Sequence, residues 1–155
     1  MTKPVVVLQV GNSLERAARL MGVGRIRHLP VVDEENRVIG LVTHRKLLAA
    51  WVSHGDPNHE RLHDLAKEIP VEMLMESDVL TIGPDESAAK AAALLVSRKF
   101  GCLPVVEEGR LVGIVTEADF VRFAQRYLER EETVSRASEG ERAVRQLLRS
   151  SHGHR

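Results

Sequence analysis

An internal duplication constrains this chain more than any other feature. Ser13–Glu34 lies on Ser87–Glu108 at an offset of 74; after one extra residue, Glu35, Asn36–Leu47 lies on Gly109–Phe120 at an offset of 73. Thirteen of these 34 positions are identical, where roughly two or three would coincide by chance at ordinary composition. The matches include Leu29-Pro30-Val31-Val32 against Leu103-Pro104-Val105-Val106, and Gly40, Val42 and Thr43 against Gly113, Val115 and Thr116. Most other positions keep their class, as Ile39 and Val112 do. Two copies at so long a period exclude a solenoid and point to a tandem duplication of one small unit.

Each copy reads the same way. Val5–Val10 and Val79–Ile82 are short β-branched runs and predict strands. Asn12-Ser13 and Pro84-Asp85 supply turn and N-cap chemistry. Ser13–Met21 and Glu86–Lys99 follow with helical spacing of Ala, Leu and charged residues. Two strands come next, Leu29–Val32 and Val38–Val42 in the first copy, Leu103–Val106 and Leu111–Val115 in the second. They are joined by the polar turns 33–36 and 107–109. Gly40 and Gly113 sit inside strands, which marks either a close approach to the backbone or a kink. Thr43 and Thr116 then cap a last helix in each copy.

The order is β-α-β-β-α, twice, an α/β (α+β) class. A unit of about 50 residues rarely buries enough surface alone. Two copies packed through their sheets with pseudo-two-fold symmetry would form one core, with a cleft between the sheets. The predicted boundaries are repeats at 5–56 and 77–128, a linker helix at 57–76, and a charged helix and tail at 129–155. A cleft lined by strand ends and helix N-termini suits a ligand carrying phosphate.

Composition narrows the function. The 155 residues carry 22 basic and 22 acidic side chains, a balance that argues against nucleic acid or an anionic membrane as partner. The single cysteine, Cys102, excludes a disulfide framework and a thiolate zinc cage, and reads as a small buried hydrophobe. Apolar runs stop at six residues and the N-terminus has no signal-peptide h-region, so a membrane span is not expected and the expected location is the cytoplasm. His59 and His63 stand four apart on the predicted linker helix, a metal-capable spacing that lacks supporting ligands and reads as a solvated face. No nucleophile, base and orienting group occur together within either repeat, so no catalytic residue and no metal ligand are assigned.

The motifs resemble those of a known family. His28-Leu-Pro-Val-Val-Asp33 with Gly40-Leu-Val-Thr43, and Cys102-Leu-Pro-Val-Val106 with Gly113-Ile-Val-Thr-Glu-Ala-Asp119, look like two cystathionine-β-synthase (CBS) domains in tandem, a Bateman module. The resemblance covers roughly residues 5–127. It implies a regulatory module that binds an adenosine-containing ligand, whether AMP, ADP, ATP or S-adenosylmethionine. It also implies a homodimer, with an effector protein elsewhere. By resemblance the main ligand site holds Thr116, for phosphate, and Asp119, for the ribose hydroxyls. Leu8, Val10, Ile26, Arg27, His28 and Pro30 of the other repeat would complete it. A second site would pair Thr43 with Leu80, Ile82, Phe100, Cys102 and Pro104.

The second site departs from the pattern. Lys46 stands where the motif has its ribose-binding aspartate, and a lysine offers no acceptor. Either that site is empty, or Lys46 and Arg45 hold a polyphosphate tail. Thr116-x-x-Asp119 can equally be a capping box that satisfies helix N–H groups with no ligand. On that reading the chain is an interaction scaffold of the same fold that binds no nucleotide.

Overall fold

The computed structural model describes residues 1–53 and 66–133. The expectations for His59 and His63, and for the charged helix and tail beyond residue 133, lie outside the described residues. The chain divides into two units, Met1–Glu117 and Ala118–Arg155.

In the first unit the elements run β1 (Leu8–Gln9), α1 (Leu14–Gly24), β2 (His28–Val32), β3 (Val38–Thr43) and α2 (His44–Ser53). They continue, after a 3-10 turn at Val71–Met73, with α3 (Ala88–Arg98), β4 (Cys102–Glu107) and β5 (Arg110–Thr116). One sheet has the order β1-β2-β3 and the other pairs β4 with β5.

Both long helices start and stop by the same chemistry. Ser13 Oγ accepts the Arg16 N–H at 3.3 Å and Ser87 Oγ accepts the Lys90 N–H at 3.1 Å, which satisfies one free donor in each first turn. Each helix ends on a residue in the left-handed region, Arg25 (φ 49°) and Lys99 (φ 55°), whose N–H returns to the last turn. In the second copy Ser87 takes the capping role expected of Pro84-Asp85, and α3 begins at Ala88. α1 buries Leu14, Ala17 and Met21, and α3 buries Ala91 and Leu95, each against its sheet. The floor of the core is Leu8, Leu29, Val31, Val42 and Leu103, all with no exposed surface.

The first strand of each copy is shorter than its apolar run. β1 has two residues, pairing parallel as Leu8↔Val31 and Gln9↔Val32. The run 79–82 reduces to one parallel bridge, Ile82↔Val105. The reason lies in the Leu-Pro step of the partner strands. The Ile82 N–H donates to the Pro104 carbonyl at 3.1 Å, so residue 104 faces the parallel neighbour, on which side a proline has no N–H to give. The ladder therefore cannot extend back past it.

The two copies exchange their leading segments. Leu41 of β3 pairs antiparallel with Glu76, both N–H···O bonds measuring 2.9 Å. Reciprocally, Ile114 of β5 pairs with Thr2. The methionine before each pairing residue lies on a strand glycine. A Cβ on Gly40 would meet Met75 Cγ at 2.8 Å, and one on Gly113 would meet Met1 Sδ at 2.5 Å. Gly40 and Gly113 thus mark close approaches, not kinks. The exchange, together with matching bulges at Val31/Val32 and Val105/Val106, is what a pseudo-two-fold pair requires.

The second unit is helical over 118–133 (α4). Its polar side carries an Arg122–Asp119 ion pair at 3.0 Å and a Gln125–Glu129 hydrogen bond at 2.9 Å. Val121, Phe123, Tyr127 and Leu128 are exposed.

Candidate functional site

A cavity of about 460 Å³ opens where the two copies meet in the first unit. From the first copy it takes the β3–α2 junction. Thr43 closes β3 and its hydroxyl accepts the Lys46 N–H at 3.3 Å, so the threonine caps α2. His44 and Arg45 follow in the first turn and both line the cavity. The His44 N–H donates to the Arg27 carbonyl at 2.8 Å, which brings the start of α2 against the approach to β2. The second copy repeats this arrangement, its Glu117 N–H donating to the Gly101 carbonyl at 3.2 Å.

The opposite wall is apolar. Leu80 and Phe100 line it together with the buried Cys102. Between the walls lies His28, whose imidazole covers Gly101 so closely that a Cβ there would meet Cε1 at 2.6 Å. Glycine at 101 is what lets the histidine reach across.

Charge is concentrated at the rim. Arg27, Arg45 and Lys99 supply three cations; Glu76, Asp78 and Glu117 supply three carboxylates. Lys46 pairs with Glu76 Oε1 at 3.2 Å, both side chains about 40% exposed. Lys46 thus partners the carboxylate that leads the second copy onto β3. Burial, with help from the Arg27 charge, holds the His28 pKa below its ordinary value, and Glu117 opposes that shift. Burial, reinforced by Glu76, pushes the Cys102 thiol up to about 12, so it stays protonated and poorly nucleophilic.

The structure brings Arg27 and His28, expected for one site, into the same cavity as Thr43, Leu80, Phe100 and Cys102, expected for the other. Leu8, Pro30 and Pro104 are wholly buried in the sheets, and Ile82 is nearly so. Val10, past the end of β1, is 56% exposed. Ile26 lines a separate cavity between α1 and α2. Thr116 ends β5, and Asp119 lies on α4 with its Oδ1 accepting from Arg122. Glu76, Asp78, Lys99 and Gly101 carry no motif that points to them, and Glu117, inside the second motif, was given no role. Gly101 could have been found as the repeat counterpart of Arg27. Among the described residues, no group of three His, Cys, Asp or Glu could hold a metal ion, and no helix is long and apolar enough to cross a membrane.

The chain resembles several curated proteins. It is 30% identical over 133 residues to a homoserine O-acetyltransferase of Methanohalobium evestigatum, covering 82% of this chain and 24% of that protein. It is 31% identical over 132 residues to a CBS domain-containing protein of Dictyostelium discoideum, covering 83% and 90%. This chain spans about a quarter of the length of the acetyltransferase, whose activity is that of the whole protein.

Solved structures agree on the fold. A Vibrio cholerae protein named for acetoin utilization (AcuB) superposes with a TM-score of 0.72 at 37% identity, over 86% of this chain and 92% of that one. The CBS domain pair of protein MJ0100, solved with 5-methylthioadenosine and S-adenosyl-L-methionine, gives 0.68 at 26%, over 81% and 91%. CBSX2, solved with AMP, gives 0.67 at 28%, over 81% and 90%. The CBS domain family matches residues 1–53 and 66–126. Two matches, one per copy, on a duplicated α+β core that exchanges its leading segments, make this chain a member of the CBS domain family built as a tandem pair.

Proposed function

We propose that the chain is a regulatory module that binds an adenosine-containing ligand, of the AMP, ADP, ATP or S-adenosylmethionine type, in the cavity between its two copies. One observation carries the reading. A single cavity joins an apolar wall (Leu80, Phe100) to a capped helix start at Thr43 and three cations, Arg27, Arg45 and Lys99. An aromatic or aliphatic slot suits a purine, and cations beside a helix start suit phosphate. The adenosyl ligands in the MJ0100 and CBSX2 structures support the same chemistry. Thr116 and Asp119 are proposed as further ligand residues on the strength of their motif.

Regulation, rather than catalysis, is the role we propose; the thiol that lines the cavity, Cys102, is held protonated and is a poor nucleophile. We further propose a homodimer in the cytoplasm that acts on an effector protein; light scattering of the full chain in solution tests the dimer. The scaffold reading draws on the three carboxylates that offset the cations and on Lys46 already engaged with Glu76.

Paired measurements on variants separate the two. Phe100→Ala should weaken AMP or ATP binding roughly tenfold, as the loss of one stacking or apolar wall implies. Arg45→Ala, which removes a cation lining the cavity, should weaken ATP binding by about 10- to 150-fold, as loss of a charge-assisted hydrogen bond implies. Urea melts of the same proteins control for folding. If both variants bind as the parent does, the assignment of these residues is wrong.

A further inference from the structure

A second cavity, about 340 Å³, lies in the first copy between α1 and α2. Its floor is apolar: Met21 and Leu47 are almost fully buried, with Ala18 and Ile26 beside them. Its polar groups are Arg25, Arg27 and His44, and among the described residues no carboxylate lines it. That absence separates it from the larger cavity, where three carboxylates answer three cations. None of Arg25, Arg27 and His44 has an ion pair among the described residues. Arg25 and Arg27 are both exposed and carry like charge, which a bound anion offsets.

The backbone fixes Arg25 there. It occupies the left-handed region at the end of α1, and its N–H is spent on the Gly22 carbonyl at 3.4 Å. The Ile26 N–H returns to Met21 at 3.1 Å, which turns the chain sharply and sends Arg25, Ile26 and Arg27 around the mouth of the cavity. His44 closes the other side from the first turn of α2.

We propose that this helix-side cavity binds a small amphipathic anion, a phosphate monoester or carboxylate on a short apolar stem, with Arg25, Arg27 and His44 around the anion and Met21, Ile26 and Leu47 around the stem. Paired guanidiniums suit the two oxygens of such a group. A floor of this size accepts one ring or a short chain and gives an inorganic anion nothing to fill it. Arg27 and His44 line both cavities. Resting on the adenosyl reading above, an anion held here should therefore compete for cations with a phosphorylated ligand in the larger cavity, and leave unphosphorylated adenosine unaffected.

The test titrates the full chain with phenyl phosphate and with benzoate, using phenol and inorganic phosphate as controls. Binding is followed by calorimetry and by the methyl resonance of Met21. Saturable binding of phenyl phosphate or benzoate that shifts the Met21 methyl is expected, and the stronger of the two arms identifies the anion. Phenol and inorganic phosphate should bind at least roughly tenfold more weakly, since each lacks half the recognition. Arg25→Asn keeps a residue that tolerates the left-handed turn while removing the cation. It should weaken the bound anion by roughly tenfold or more. Ala18→Leu, which fills the floor, should do the same.

The proposal is overturned if neither anion binds, if phenol binds as tightly as phenyl phosphate, or if inorganic phosphate does. It is also overturned if binding leaves the Met21 methyl unmoved, or if it survives both substitutions. These readouts use no nucleotide, so the adenosyl reading can fail while this site stands, and the reverse.

Discussion

Gly40 is the position where one atom decides most. A Cβ there would run into the Met75 side chain, and Met75 belongs to the segment that ties the second copy onto β3. Gly40→Ala is therefore expected to destabilise the protein by about 1–3 kcal/mol, the usual range for overpacking. Most of that loss should disappear in a Met75→Ala background. A double-mutant cycle by urea denaturation reads the coupling directly; additive losses would mean that the methionine and glycine do not oppose each other. His28 offers a second test at this scale. Its folded pKa lies below the ordinary 6.5, so the unfolded chain binds more protons between the two values. Its contribution to stability is present above pH 6.5 and is lost as the pH falls toward the folded pKa. His28→Gln should flatten that part of the stability profile, measured by melts between pH 7 and pH 5. An unchanged slope would assign it to other groups.

At the level of elements, the two caps make a matched pair. Ser13→Ala and Ser87→Ala should each cost about 1 kcal/mol. Their effects should add, because the caps sit on different helices and share no partner; a strongly non-additive double mutant would show the helices to be coupled in a way the contacts do not display. Element order was legible in the sequence because hydrophobic period, cap residues and the Leu-Pro-Val-Val strands repeat 74 residues apart. Strand length was not. Val5–Val10 reads as a full strand by composition, yet only Leu8 and Gln9 pair, since composition carries no information on whether a partner offers a donor. The two meanings of a strand glycine likewise stayed open until Met1 and Met75 were seen to lie on Gly113 and Gly40. The candidate site was legible in part. Thr43, Phe100, Arg27 and His28 follow from the repeat and its motifs, but that they share one cavity depends on the exchange between copies. The role of Lys46 could not be read at all, because its partner Glu76 lies 30 residues away in a segment with no motif.

For the whole molecule, the exchange of leading segments means that neither copy completes its sheet edge alone. Thr2 pairs with Ile114 and Glu76 with Leu41, so the cavity between the copies is part of the same construction that holds them together. A ligand that touches both walls binds only the assembled pair and must stabilise it, by about 2.7 kcal/mol at a hundred times its dissociation constant. Calorimetric titration of the unmodified chain with AMP, ATP and S-adenosylmethionine, paired with thermal melts at saturation, is the most direct measurement. Saturable binding of at least one of them, at one per chain and with a raised melting temperature, is the predicted result. The absence of both binding and stabilisation for every adenosyl ligand would contradict it and leave a CBS pair that serves as a scaffold.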